Sequence, residues 1–217
     1  MQAEIEEALR RIVGGEIAVT VAGRTDTGVH ATGQVASFEA EAVPDRLVER
    51  LNAVLPADVA VRSAEPAGDG FDARRDARSR TYRYRILASP VRDPFEESRA
   101  LWWRHRIDPA GLDACAEAVV GTHDFTAFTP TETDHVRFER DVLRAAWQGG
   151  VPGILAFEIE ADAFMRHMVR VLVGTMLEVA GARRPLDDFR ALLDGAPRER
   201  GGETAPPHGL YLVAVSY

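Results

Sequence analysis

The chain has 217 residues, 46% of them apolar and 28% charged, with a formal net charge of −8, which is enough length to bury a core in one large domain or two small lobes. No apolar run approaches the roughly 20 residues that cross a bilayer, and the acidic, amphipathic start "MQAEIEEALRR" is unlike a secretion signal. A single cysteine, Cys115, excludes an internal disulfide and a cysteine-rich zinc site, pointing to a reducing cytoplasm, and the absence of lysine excludes lysine-based catalysis.

Ile5, Leu9, Ile12 and Val13 recur at helical spacing and predict a helix over 3–13, closed by Gly14 and Gly15. "IAVTV" (17–21) reads as a strand entering the glycine-rich "GRTDTGVHATGQ" (23–34), and "QVASFE" (34–39) as the strand leaving it. Pro44 opens a second helix with Leu47, Leu51 and Val54 on one face, and Pro56 stops it. Strands follow at 59–64 and 79–87. In the second half Asp108 as N-cap and Pro109 at the first helical position predict a helix to Val120. Strands at 139–148 and 154–160 come next, then a long apolar helix over 165–179 and a short one over 185–193. "LYLVAVSY" (210–217) reads as a final strand. Both halves mix helices with hairpin-like strand pairs, which predicts an α+β fold of two lobes with mostly antiparallel sheets. The boundary falls in the aperiodic 88–107, giving lobes of 1–90 and 91–217.

The glycine-rich stretch has several candidate chemistries. Gly23 and Gly28 have the gap of a phosphate-binding loop, but Val29 and His30 stand where lysine and a hydroxyl residue are needed. The glycine spacing also fails the dinucleotide fingerprint, which must open a helix. The six histidines form no His-Glu-x-x-His pattern, and no Gly-x-Ser-x-Gly is present. What remains is a carboxylate, Asp26, with Arg24 two residues before it and His30 four after. Aspartate beside threonine and glycine is commonly a turn residue capping its own backbone. Spacing leaves Asp26 open between that role and catalysis.

Charge distribution says more than net charge. Residues 71–85, "FDARRDARSRTYRYR", hold six arginines against two aspartates, with two tyrosines inside the run. Smaller basic clusters are Arg104, His105 and Arg106, and Arg166, His167 and Arg170. A basic run interleaved with aromatics in an acidic protein points to a phosphate-bearing partner held in a local groove.

"AGRTDTGVHATGQVASF" closely resembles the signature of the tRNA pseudouridine synthase A family, Gly-Arg-Thr-Asp-x-Gly-Val-His-Ala with a following Gly-Gln. "LNAVLPADVAV", "FDARRDARSRTYRYRI", "GTHDFTAF", "ADAFMRHMVRVLVGTMLEV" and "APPHGLYLVAVSY" resemble further family blocks, in family order across nearly the whole chain. The resemblance implies two ferredoxin-like lobes joined around a central catalytic cleft. It implies isomerisation of uridine to pseudouridine at positions 38, 39 and 40 in the anticodon arm of tRNA, by a cytoplasmic homodimer using no cofactor or metal. A non-catalytic tRNA-binding paralogue is the alternative.

On the matching positions Asp26 is the essential carboxylate, acting either on C1′ or on the 2′ proton. Arg170 is its arginine partner, orienting it and holding its charge. Tyr82 stacks on the flipped uracil, and Leu210 walls the base pocket. Arg24 and His30 are expected to fill the space the base vacates or to hold the flipped nucleotide. Arg74, Arg75, Arg78 and Arg80 are expected to follow the phosphate backbone. Family members usually begin with a strand ahead of the helix seen at "MQAEIEEAL". A misplaced start is the favoured expectation for that difference, and loss of such a strand leaves sheet edges bare.

Overall fold

A computed structural model describes residues 1–133 and 136–217; His135, counted among the six histidines, lies outside them. In chain order the elements begin with α1 (Gln2–Ile12), β1 (Thr20–Val21), β2 (His30–Ala31), β3 (Ala36–Ser37) and α2 (Leu47–Val54). Then come β4 (Ser79–Ala88), β5 (Leu101–Trp103), α3 (Pro109–Ala118), β6 (Gly121–Asp124), β7 (Glu139–Val151) and β8 (Ile154–Ala161). The remainder is α4 (Met168–Ala180), α5 (Leu186–Ala191) and β9 (Leu210–Ser216). Two units form: Met1–Arg24 with Gln34–Ala77, and Thr25–Gly33 with Arg78–Tyr217.

The first unit is small. β1 and β3 pair antiparallel, Thr20 opposite Ser37 and Val21 opposite Ala36. Ala8 and Leu9 of α1 and Leu47 and Leu51 of α2 bury with Val19 and Val21. α1 is tied to the incoming chain by Gln2, whose amide donates to the Val19 carbonyl at 2.9 Å, and by Glu6, which accepts from the Val19 amide at 3.1 Å. The strand expected at 59–64 forms no ladder. Instead the Asn52 side chain bonds both the amide and the carbonyl of Val61, at 2.7 and 2.8 Å. Backbone groups satisfied by a side chain need no sheet.

The second unit is built on a seven-stranded sheet in the order β2-β9-β4-β8-β7-β6, with β5 also beside β4. All its pairs are antiparallel except β2 with β9 and β4 with β5. β2, β5 and β6 arise where no strand was expected. α4 packs against this sheet, with Met168, Val169, Val171, Leu172, Val173, Met176 and Leu177 buried. α3 packs on α4 and starts as expected, the Asp108 carboxylate accepting from the Ala110 amide ahead of Pro109. α4 begins at Met168 rather than near 165, because His167 before it is left-handed at φ 62. The whole is a mixed α+β fold with mostly antiparallel sheets.

β4 explains how one strand carries both tyrosines and arginines. Tyr82, Tyr84 and Ile86 face the core, while Arg83 and Arg85 face away, as alternation requires. Between Thr81 and Tyr82 the register against β9 slips, so Val213 is the extra residue of a bulge. Bulges bend a strand and re-aim the side chains beside them.

Candidate active site

The stretch 25–33 is anchored on β9. β2 lies parallel to it, His30 opposite Tyr211 and Ala31 opposite Leu212. The Thr32 and Gly33 amides then both donate to the Leu212 carbonyl, at 2.9 and 3.2 Å. Gly33 sits so close to the bulge that an added Cβ would stand 2.1 Å from the Val213 carbonyl oxygen. Only glycine fits this approach. Gly28 is required for another reason: its φ of 84 is left-handed, and it closes the turn in which the Val29 amide donates to the Asp26 carbonyl at 3.1 Å. The residues flanking the stretch, Gly23 and Gln34, are joined by the Gln34 amide group, which bonds both backbone groups of Gly23 at 2.7 and 3.2 Å.

Asp26 is met by α4. Arg170 donates from Nη1 to Asp26 Oδ2 at 2.9 Å, and from Nε to the Ala205 carbonyl at 2.7 Å. The guanidinium is 13% exposed and the carboxylate 31%. Two directed bonds from one planar group fix an orientation that a single point charge could not. His167 places Nε2 at 3.3 Å from the same oxygen, Oδ2. Both contacts fall on one carboxylate oxygen; among the described residues Oδ1 has no hydrogen-bond partner.

Burial comes first in holding the His167 imidazole below its ordinary value of 6.5; Asp26 pulls it up, and Arg170, Arg166 and Arg198 push it down. His167 is therefore neutral at neutral pH. Tyr82 is buried on β4 with its ring edge-on to Phe164 at 4.9 Å. Burial pushes its phenol up to about 12, opposed by Arg80 and reinforced by the charge of Asp26. Leu210 is buried at the start of β9, opposite Tyr84.

Other expected residues stand apart from the pair. His30 stacks on Tyr211 with ring centroids 4.6 Å apart and bonds the Ser98 carbonyl at 2.9 Å. Arg24 is exposed and makes no ion pair among the described residues. Arg74 and Arg78 are exposed, and Arg80 donates to the Asp162 carbonyl at 3.0 Å. Arg75 is paired with Asp76 at 2.9 Å, Arg83 with Glu158 and Arg85 with Glu96, both at 2.8 Å. Much of the basic run is thus neutralised within the protein. Sequence reasoning missed the contact of His167 with Asp26, counting His167 only within a basic cluster. Among the described residues no group of three or more His, Cys, Asp or Glu side chains could hold a metal ion.

The mixed α+β fold thus presents a carboxylate, Asp26, from a glycine-hinged loop and holds it with an arginine. Residues 115–217 match the family model described as tRNA pseudouridine synthase. The whole chain aligns with the tRNA pseudouridine synthase A of Shouchella clausii at 37% identity, covering 84% of that protein. It aligns with the proteins of the same name from Myxococcus xanthus at 38% and Roseiflexus sp. at 42%, again over the whole chain and over 83% and 82% of theirs. The chain belongs to the tRNA pseudouridine synthase A family.

Proposed function

We propose that this protein isomerises uridine to pseudouridine at positions 38, 39 and 40 of the tRNA anticodon arm, with Asp26 as its essential carboxylate. The observation that carries the reading is the asymmetry of Asp26: Arg170 and His167 both meet Oδ2, and Oδ1 has no hydrogen-bond partner among the described residues. The reaction breaks N1–C1′, turns the uracil, forms C5–C1′ and moves a proton from C5 to solvent while N1 gains one. Oδ1 either bonds C1′ as the uracil leaves or removes the 2′ proton. A target inside a stem must leave its stack first, and the buried Tyr82 ring offers a neutral aromatic face for the flipped uracil. Leu210 supports the same pocket. Arg74, Arg75, Arg78 and Arg80 follow the phosphate backbone, and Arg24 and His30 fill the space the base vacates or hold the flipped nucleotide. The homodimeric, cytoplasmic setting rests on the family resemblance.

The test uses tRNA tritiated at uridine C5. Release of label is expected from the unsubstituted protein, and Asp26→Ala should abolish release while retaining tRNA binding. A folded sample that binds tRNA in a salt-sensitive way but releases nothing would favour the non-catalytic paralogue.

A further inference from the structure

Asp26 is held from two directions, by two residues three apart at the start of one helix. Arg170 lies in the first turn of α4, and His167 is the residue at its N-cap. His167 has φ 62 and ψ −2, a left-handed backbone that non-glycine residues adopt rarely and that clusters at functional sites. That conformation does not serve capping, because no side chain caps the helix there. It brings an imidazole to 3.3 Å from the oxygen that Arg170 already holds.

We infer that His167 is a positioning residue, its Nε2 placed 3.3 Å from Asp26 Oδ2 so that the carboxylate is held from two directions and Oδ1 is left to meet the substrate. This rests on the synthase reading above. A carboxylate oxygen only accepts, so for this contact to tighten into a hydrogen bond the proton must sit on Nε2, with Nδ1 as the acceptor. The charged groups facing His167 are Asp26 in the loop, Arg170 on α4, Arg166 just before the helix, and Arg198 from the turn at Arg198–Arg200. With three guanidiniums present, a neutral imidazole fixes the oxygen without adding a fourth positive charge. Protonation below pH 6.5 would add that charge and draw electron density from the reacting carboxylate.

Two substitutions separate the donor from the backbone. His167→Gly relieves the left-handed strain and removes the donor; His167→Gln keeps an N–H donor and bears the strain. Tritium release is measured for both and for the unsubstituted protein, as kcat and KM for tRNA from pH 5 to 8, with folding checked by thermal melts. The glycine variant is expected to lose about tenfold or more in kcat with KM unchanged, and the glutamine variant to stay within about threefold. The unsubstituted protein should slow as pH falls below 6.5, and the glutamine variant should lack that limb. A glycine variant as fast as the unsubstituted protein, or a glutamine variant with the same acid limb, would overturn the inference and leave the synthase reading intact. Absence of release from the unsubstituted protein would sink both.

Discussion

Replacing Arg170 with methionine keeps most of the side-chain length and removes the guanidinium. Two bonds are lost: Nη1 to Asp26 Oδ2 at 2.9 Å and Nε to the Ala205 carbonyl at 2.7 Å. Ala205 is buried, so its carbonyl loses a partner it cannot readily replace from water, at about 1 kcal/mol. Breaking one side of a buried ion pair costs about 3–5 kcal/mol. Asp26 is about a third exposed and keeps its contact with His167, which reduces that figure to about 2 kcal/mol. The sum, about 3 kcal/mol, is a fraction of ordinary domain stability, and the variant should fold. For a chain of this size it corresponds to a melting point lower by about 6–12 °C. If the carboxylate also loses its orientation, the same 2 kcal/mol appears as a roughly thirtyfold lower kcat. Arg170→Lys should restore part of the stability and little of the rate, because an ammonium cannot serve both acceptors in their present places. Single-turnover tritium release and thermal melts measure the two effects. A methionine variant that melts lower but turns over within threefold of the unsubstituted protein would show that Arg170 only braces the fold.

Gly33→Ala forces a Cβ to 2.1 Å from the Val213 carbonyl, so the loop must lift off β9. A cost of about 1–3 kcal/mol and a melting point lower by about 2–12 °C are expected, with a lower rate, while Gly68→Ala, which meets nothing, should change neither. Equal behaviour of the two variants in melts and label release would refute the close-packing account. Cys115 is buried on α3 and its thiol is pushed up to about 12 by burial, so iodoacetamide should label it only on unfolding. Native labelling at the rate of a small-molecule thiol would contradict that placement.

What the sequence made legible depended on how local the signal was. α3 could be read from Asp108 and Pro109 because a cap acts within three residues, and α4 from its apolar run. β2 could not, since it is two residues long and its partner, β9, lies at the far end of the chain. β5 and β6, of three and four residues, carry no alternation long enough to register. Val61 shows the opposite error: apolar residues near it suggested a strand, and a neighbouring asparagine supplied the hydrogen bonds instead. Asp26 was recognisable by family likeness, but local spacing could not separate it from a turn residue. His167 was hidden because its importance lies in a backbone angle that no composition rule reports.

Asp26 meets Arg170 across 144 residues of chain, and the stretch that carries it is anchored on β9. During synthesis, therefore, the carboxylate emerges long before the residues that give it a place. A nascent chain can complete much of the first unit while residues 25–33 still have no strand to lie against. The constellation forms only when β9 threads in beside β4, a long-range closure of the kind that slows folding. Assembly of the reactive geometry thus waits on β9, and a ribosome stalled before residue 210 would carry its aspartate unset.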